Sequence, residues 1–587
     1  MKFPLLGPVR KKESTVAAFG GYNHNAKTAE NEFFDMKNLS GDDFPVLSTR
    51  RKRSQAISAY SGKTVYGMIN KDALCVVAGS GSSASLYVNG YLTGLSLTGN
   101  RKQLVSMGAY LVVFPDKKWI NTKDLTEYGS IDASFASSGT VTYTLCRYDA
   151  TEYPAPTVSA TEPSDPANGD LWIDTSGTPH VLKQYSSSTA VWSPVAAACI
   201  KISATNIAEK FSTGDAVTIS GASIDINGGG IYIEAAQHNT GGTGDYIVVS
   251  GILDQTATQS TAMTVSRTMP SVDFVTECNN RLWACRYGTD NSGAVVNEIY
   301  ASKLGDFKNW NCFQGLSTDS YAASLGTDGP FTGAYTYKGY PMFFKEGCFH
   351  KVYGDYPAKF QITATACDGV QKGADRSLAA VDSTLFYKGV SGIYAYDGSL
   401  PVKVSSALED GYTNAAAGGI GTKYYVAMLK NAAYSLFVYD ASKGLWHKED
   451  SPAAVCFCTV SNELYMAVNG LNGGVFALNG TKTPLETAAV PWYFETGLLG
   501  LDTPRRRYVS NVILRMHLAA GGTATVYVEY DKSGTWVEAA GVSAGALTYN
   551  VNIRLCRCDC FRLKVSGSGD MKLYSLTKVI KDGSCKV

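Results

Sequence analysis

STLFYKGVSGIYAYDG, residues 383–398, holds the pattern that decides the fold. An apolar run, Leu385-Phe386-Tyr387, meets a glycine-bounded turn, and a second run, Ile393-Tyr394-Ala395-Tyr396, ends in Asp-Gly. Short aromatic and β-branched runs bounded by Gly, Asn, Asp and Ser read as the strands of a hairpin. The unit recurs as ALCVVAGSGSSASLYVNG from Ala73, AYLVVFPDKKWINTKD from Ala109 and NRLWACRYGTDNSGAVVNEIYASKLGDFKNW from Asn280. It returns as YPMFFKEGCFHKVYGD from Tyr340, TKYYVAMLKNAAYSLFVYDASKGLW from Thr422 and NELYMAVNGLNGGVFALNG from Asn462.

Matching Leu74, Leu111, Leu282, Met342, Leu385, Tyr424 and Leu464 gives spacings of 37, 60, 43, 39 and 40 residues, apart from one long break after Leu111. Propeller blades of four strands repeat at about 40–50 residues. Seven copies predict an all-β chain built on a β-propeller of about seven blades. Unrelated antiparallel hairpins packed as sandwiches are the alternative. Helical periodicity is scarce throughout.

The break defines the domains. Residues 56–150 carry the first blades and 269–490 the rest. Between them, 151–195 form a small β module with Trp172, Tyr185 and Trp192, and 196–268 form a small β-barrel containing FSTGDAVTISG, IYIEA and YIVVSG. Insertion there is cheap, because loop-closure cost grows slowly with length. Residues 1–55 read as an extended, polar N-terminal arm. Residues 491–587, with RYVSNVILRMHL, TATVYVEYD and CFRLKVSG, read as a C-terminal β-sandwich.

Composition narrows the function. In 587 residues, 52 Lys and Arg face 51 Asp and Glu, a net charge of +1 that argues against a generic polyanion binder. With 45% hydrophobic and 18% charged residues, wholesale disorder is excluded. No apolar stretch approaches the roughly 20 residues of a membrane-spanning helix. MKFPLLGPVRKKEST lacks the apolar core of a secretory signal, so a cytoplasmic folding site is expected. The 14 cysteines are thinly spread; Cys456 with Cys458, and Cys556, Cys558 and Cys560, sit at period two in apolar runs and read as reduced strand thiols rather than a zinc site.

Motifs for chemistry are weak. GVSAG around Ser543 is followed by the strand-like ALTYNVNI where a nucleophile elbow needs a helix. A phosphate-cradling G-x-x-x-x-G-K-[ST] is absent, and Gly228–Gly230 and Gly241–Gly242 lie between strands. His24, His180, His238, His350, His447 and His517 stand singly. Asp174, Asp225 and Asp375 could serve a glycosidase, which needs a carboxylate pair, but no spacing ties them together. The blade-turn box S-x-D-x-G-x-x-W is not repeated, and SKLGDFKNW around Asp306 only partly resembles one. SIDINGGG from Ser223 offers Asp225 and Asn227 to calcium but lacks the distal Glu of an EF-hand loop, so a hairpin turn is expected. Arg50, Arg51, Lys52 and Arg53 with Lys11 and Lys12, and Arg505, Arg506 and Arg507, form basic clusters that read as solvated faces or subunit contacts; sequence-independent phosphate screening near DNA is the other reading. No catalytic, cofactor-binding or metal-ligating residue is assigned, no cofactor is expected, and the chain is expected not to be an enzyme.

The N-terminal GGYNHNAKTAENEFFDMKNLSGDDFPVLSTRRKR resembles the opening of bacteriophage virion proteins, through Gly20, Gly21, Asn23, Asn31, Glu32, Asn38, Leu47 and Arg50. NRLWAC with NEIYASKLGDFKNW is similar to their propeller blades, through Arg281, Leu282, Trp283, Tyr300, Ser302, Gly305, Asp306 and Trp310. WYFETGLLGLDTPRRRYVSNVILRM resembles their C-terminal sandwich, and NGDLWIDT at Asn168 a small module of tail and fibre proteins. The resemblance implies a tail nozzle or tail-hub subunit located in the virion and synthesised in the host cytoplasm. Such a subunit self-associates into a ring, a hexamer by the resemblance. The ring forms part of the DNA-ejection channel below the portal and adaptor. It contacts other tail or fibre proteins and passes double-stranded DNA without sequence-specific binding. The inserted modules are not a fixed part of that pattern. A near-neutral channel would pass DNA without gripping it, and Tyr-rich surfaces suit assembly. The alternatives are a tail-tip or fibre-like protein that binds host glycans and, third, a propeller glycan hydrolase.

Overall fold

A computed structural model describes residues 11–470, 473–478, 485–501, 507–554 and 556–582. Seven small antiparallel sheets follow one another along the chain, at residues 64–98, 103–130, 274–324, 333–366, 379–403, 413–448 and 454–477. They are the blades, one to seven, of a β-propeller. All seven matched positions of the repeat fall on the second strand of a blade and are buried.

Turn chemistry explains why the repeat was so regular. Between the first and second strands, Asn279-Asn280, Lys338-Gly339, Asp382-Ser383 and Ser461-Asn462 each place two consecutive residues at positive φ. That is the two-residue turn whose twist matches a hairpin, and Asn, Asp and Gly adopt it at least cost. Each second strand then starts directly after the turn.

The cores lie between blades rather than within them. Val65, Leu74 and Val76 of blade one pack with Cys456, Cys458 and Tyr465 of blade seven. Val112 and Trp119 of blade two pack with Leu282 and Trp310 of blade three. The inner strand of blade seven packs on that of blade one, so the ring is closed. Among the described residues, blade seven has three strands of its own. Its open edge is taken by the N-terminal segment: Ser54 N–H donates to Ala477 O (2.9 Å), and Ile57 N–H donates to Val475 O (3.0 Å).

The segment expected as an extended arm is thus folded into the molecule, and most of it belongs to the sandwich. Lys11–Val16 pairs with the C-terminal strand Met571–Asp582, and Leu47 lies opposite Leu573. Phe33–Lys37 pairs with Pro491–Thr496 in the second sheet. The sandwich therefore joins the two ends of the described chain. Its core of Trp492, Phe494, Leu514, Val526 and Leu563 runs on through Tyr22, Phe33 and Met36 into Phe437 and Trp446 of blade six.

The insertion begins earlier than expected, at Ala133–Ala136, and it is nested. One eight-stranded sheet, made from Ala133–Ala136, Val141–Cys146 and strands between Cys199 and Arg267, curls round a core that includes Tyr143, Ile202, Ile233 and Val249. The small module, a four-stranded sheet within 157–194, leaves this sheet after Cys146 and returns at Cys199, directly opposite. The two modules are not consecutive: one sits inside the other.

Ion pairs clamp propeller to sandwich. Arg53 reaches Glu449 Oε2 (2.7 Å) and Asp450 Oδ1 (2.7 Å) at the end of blade six, with its side chain only 9% exposed. Arg50 pairs with Glu486 (2.8 Å) and donates through Nε to Asn38 Oδ1 (2.8 Å). Removing one partner of a buried pair strands the other charge and costs about 3–5 kcal/mol, whereas exposed pairs contribute about 0–1 kcal/mol. Arg53→Ala is therefore expected to lower unfolding stability by about 3–5 kcal/mol. Arg51→Ala, removing a 70%-exposed partner of Asp42, should cost less than about 1 kcal/mol. Urea midpoints of the two variants check the contrast, and equal shifts would refute the clamp.

Candidate functional site

A propeller surrounds a central channel, and concave pockets are the default place to look for a site. Two adjoining cavities open at one end of this axis. One, of about 420 Å³, is lined by Arg101, Gln103, Asp273, Phe274, Phe331 and Asp375. The other, of about 300 Å³, is lined by Thr64, Arg101, Arg376, Asn414, Tyr434 and Asn469. Arg101 and Gly373 border both.

The linker between blades four and five builds this end of the axis. Gly373 turns the chain at φ +82°, a backbone glycine holds without strain, and the turn Asp375–Ser377 follows. Ser377 anchors it: Tyr424 Oη donates to Ser377 O (2.8 Å), and Lys388 N–H donates to Ser377 Oγ (2.8 Å). Arg376 then crosses the channel. Its guanidinium donates to Val455 O of blade seven (2.8 Å), Tyr66 O of blade one (2.5 Å) and Lys102 O (3.2 Å). Arg101 Nη2 holds both oxygens of Asp375, at 2.7 and 2.6 Å. Gln103 joins blades two and three, donating to Asp273 O (2.8 Å) and accepting from Val275 N–H (2.9 Å). At this level side chains tie blades one, two, three and seven to the four-to-five linker across the axis.

The residues weighed from sequence are scattered. Asp375 lies on the axis, but Asp174 pairs with Lys183 in the small module (2.7 Å) and Asp225 sits exposed in the larger insertion. Asn227 closes a turn by accepting from Ala222 N–H (2.9 Å) and donating to Ala222 O (2.8 Å). Ser543 ends the strand Val537–Ser543, opposite Thr523, with no helix after it. His24 contacts Glu409 (2.9 Å), His180 contacts Asp254 (2.9 Å) and His238 contacts Asp245 (2.7 Å), each in a different place. His517 is exposed on a sandwich strand, while His350 and His447 are buried. Among the described residues no group of three His, Cys, Asp or Glu is placed to hold a metal ion. Nor, among the described residues, is any helix long and apolar enough to cross a membrane.

Within the basic cluster Arg50–Arg53, two of the four side chains are turned inward. Arg50 and Arg53 are consumed by the clamp described above, and Arg51 pairs with Asp42. Arg505 and Arg506 lie outside the described residues. SKLGDFKNW also has a structural task. Asn309, fully buried, donates to Asp215 Oδ1 (2.8 Å) and accepts from Ala216 N–H (3.0 Å), and Lys303 donates to Gly214 O (2.8 Å). The blade-three loop thereby holds the insertion. Sequence reading missed Arg101, Arg376 and Asp215, which belong to no recognisable spacing, and the role of Asn309 within SKLGDFKNW, because their partners are far away in the chain.

No protein-family model matches this sequence, and no curated protein matches it. Solved structures similar to it include an exo-beta-1,3-galactanase from Phanerochaete chrysosporium, 11% identical over 52% of this chain and 94% of that one, with a TM-score of 0.22. A glycoside hydrolase is 10% identical over 51% of this chain and 96% of its own, at a TM-score of 0.20. An acylaminoacyl peptidase is 8% identical over 74% of this chain and 57% of its own, at a TM-score of 0.26. Superpositions this loose carry nothing about chemistry.

The two buried histidines make a pH signature. Burial, then the charge of Lys423, pushes His447 down to about 3; burial, then Lys345, pushes His350 down to about 4. Both are neutral in the fold, whereas an unfolded histidine binds a proton below about 6.5. Their contribution is therefore complete above that pH and is lost as pH falls towards the folded values, by at most about 1.4 kcal/mol per pH unit for each. Urea unfolding at a series of pH values from 8 to 5 should show stability falling below about 6.5, and His350→Gln should flatten the slope.

Proposed function

We propose that this chain is a structural subunit of a bacteriophage tail, of the nozzle or hub kind, whose task is to be a stiff block in a ring around the DNA-ejection channel. The observation that carries the reading is the use made of the N-terminal segment. Gly20, Gly21, Asn23, Asn31, Glu32, Asn38, Leu47 and Arg50, on which the resemblance to virion proteins rests, are joint residues. Gly20 N–H donates to Asn31 O (2.7 Å), and Asn23 Nδ2 donates to Glu32 Oε2 (2.7 Å). A side chain at Gly21 would strike Trp446 O, and Asn38 links Arg50 to Pro491 O. Leu47 is buried in the shared core. The motif is what a propeller and a sandwich need to move as one body.

The axis supports the same reading. Asp273 and Asp375 line one cavity, but Asp375 is held by Arg101 and Asp273 Oδ2 accepts from Tyr287 N–H (2.7 Å). Arg376 ties the linker to blades one and seven across the axis, and in this reading the DNA channel runs between subunits. The glycan-binding alternative gains little from the insertion. Trp172 is buried, and Tyr185, Trp192 and Trp172 pack on one another with centroids 5.3–5.5 Å apart, spending their faces on the small module's own core.

Native mass spectrometry of the purified full chain tests the reading. Masses at multiples of 62.7 kDa, alone or with a tail partner, are expected, and ring-shaped particles by cryo-electron microscopy. A chain that stays at 62.7 kDa and never enters particles would overturn it. So would glycan hydrolysis abolished by Asp273→Asn or Asp375→Asn.

A further inference from the structure

The charges at the end of the propeller axis do not cancel. Arg101 and Arg376 border the cavity of about 300 Å³ together, and the carboxylate beside them, Asp375, has both oxygens on Arg101. The neighbouring Lys102 is matched by its own partner, Asp116. In the adjoining cavity Lys372 and Asp273 are of opposite sign. Arg376 is half-buried and makes no ion pair among the described residues; its recorded acceptors are three neutral backbone carbonyls. An arginine withdrawn from water normally has an anionic partner, because desolvating an unpaired charge is costly. Arg281, buried more deeply, is likewise held by backbone carbonyls, but Arg376 borders, together with a second arginine, a cavity large enough for a small molecule.

We infer that this cavity is an anion-binding site, taking a small oxyanion, free or carried on a compact polar body, between Arg101 and Arg376. A guanidinium offers five donors in a planar fork suited to phosphate and carboxylate oxygens. Arg101 commits Nη2 to Asp375 and is 47% exposed, so it can reach a ligand from the solvent side. Arg376 supplies charge from below. Asn414, exposed on the rim, and the half-buried Tyr434 offer hydrogen bonds to whatever body carries the anion. The site joins the four-to-five linker to blades one, six and seven, so an occupant would bridge across the ring.

The full chain, in chloride buffer free of phosphate and sulfate, is titrated calorimetrically with inorganic phosphate, glucose 6-phosphate and glucuronate, with glucose as the neutral control. Saturable binding of at least one anion and none of glucose is expected. Phosphate alone would mark a free-ion site; tighter binding of a sugar anion would mark a site that also reads the carrier. Arg101→Gln leaves the contacts of Arg376 across the ring in place and, with a far-UV circular dichroism spectrum like that of the wild type showing the fold retained, should weaken binding at least about tenfold. Arg376→Lys, which keeps the charge but loses the fork, should weaken it less than Arg101→Gln combined with it. No saturable binding stronger than about 10 mM, or equal affinity in wild type and Arg101→Gln, would overturn the inference.

Discussion

A ring of sheets holds only if its first and last members are joined, and in this chain that junction bears on everything else. Among the described residues blade seven has three strands of its own, and an unpaired edge leaves backbone donors and acceptors without partners. Ser54 and Ile57 supply them. Because this segment comes directly after strands that belong to the sandwich, closing the propeller also fixes the sandwich against it. Arg53 sits one residue before the closing contact and holds Glu449 and Asp450 at the end of blade six. Opening the ring would therefore break a buried ion-pair cluster and a continuous apolar core together, which makes the propeller and sandwich one cooperative body.

The same economy governs the insertion. A module hung from a blade by two peptide strands would swing, but this one is gripped from the side. Asp215 accepts from Asn309 of the blade-three loop and is also paired with Arg267 of the insertion, whose side chain donates to Ile131 O at its root. Polar groups buried in such a network are satisfied only in one relative placement, so the network specifies orientation more than it adds stability. Nesting the smaller module between Cys146 and Cys199 has a related effect. Its two connections leave from adjacent, directly opposed strand positions, which limits its freedom to the span of one strand pair.

The propeller was legible because its signal is local. A two-residue turn at positive φ, followed at once by an apolar strand, leaves the same mark at Leu282, Leu385 and Leu464, and the cores between blades need nothing more from the sequence. What was misread depended on distant partners. Lys11–Val16 looks like a polar arm because its strand partner, Leu576–Lys581, is more than five hundred residues away. Val141–Cys146 looks like the end of the first blades because nothing local says that it pairs with Cys199–Ser203. Arg50 and Arg53 look like a basic patch because their carboxylates, Glu486, Glu449 and Asp450, lie some four hundred residues further on. The axis was illegible for the same reason: G-A-D-R-S has no motif, and Arg376 acquires its setting only when seven blades converge.

Charge shows how far composition can mislead in such a fold. A net charge of +1 suggested a surface indifferent to DNA, but a sum over residues says nothing about where the charges stand. Here much of the neutrality is internal and pairwise: Arg53 with two carboxylates, Arg267 with Asp215, Lys102 with Asp116, Arg562 with Glu529. Those cations cannot release counterions from a passing phosphate backbone, since they are buried and already matched. The axis is the contrasting case, where the carbonyls of blades one and seven hold a guanidinium in place without neutralising it. Arg281, Lys345 and Lys388 are also buried and held by carbonyls and amide oxygens rather than by carboxylates, so what distinguishes the axis is the second arginine, Arg101, that shares its cavity with Arg376.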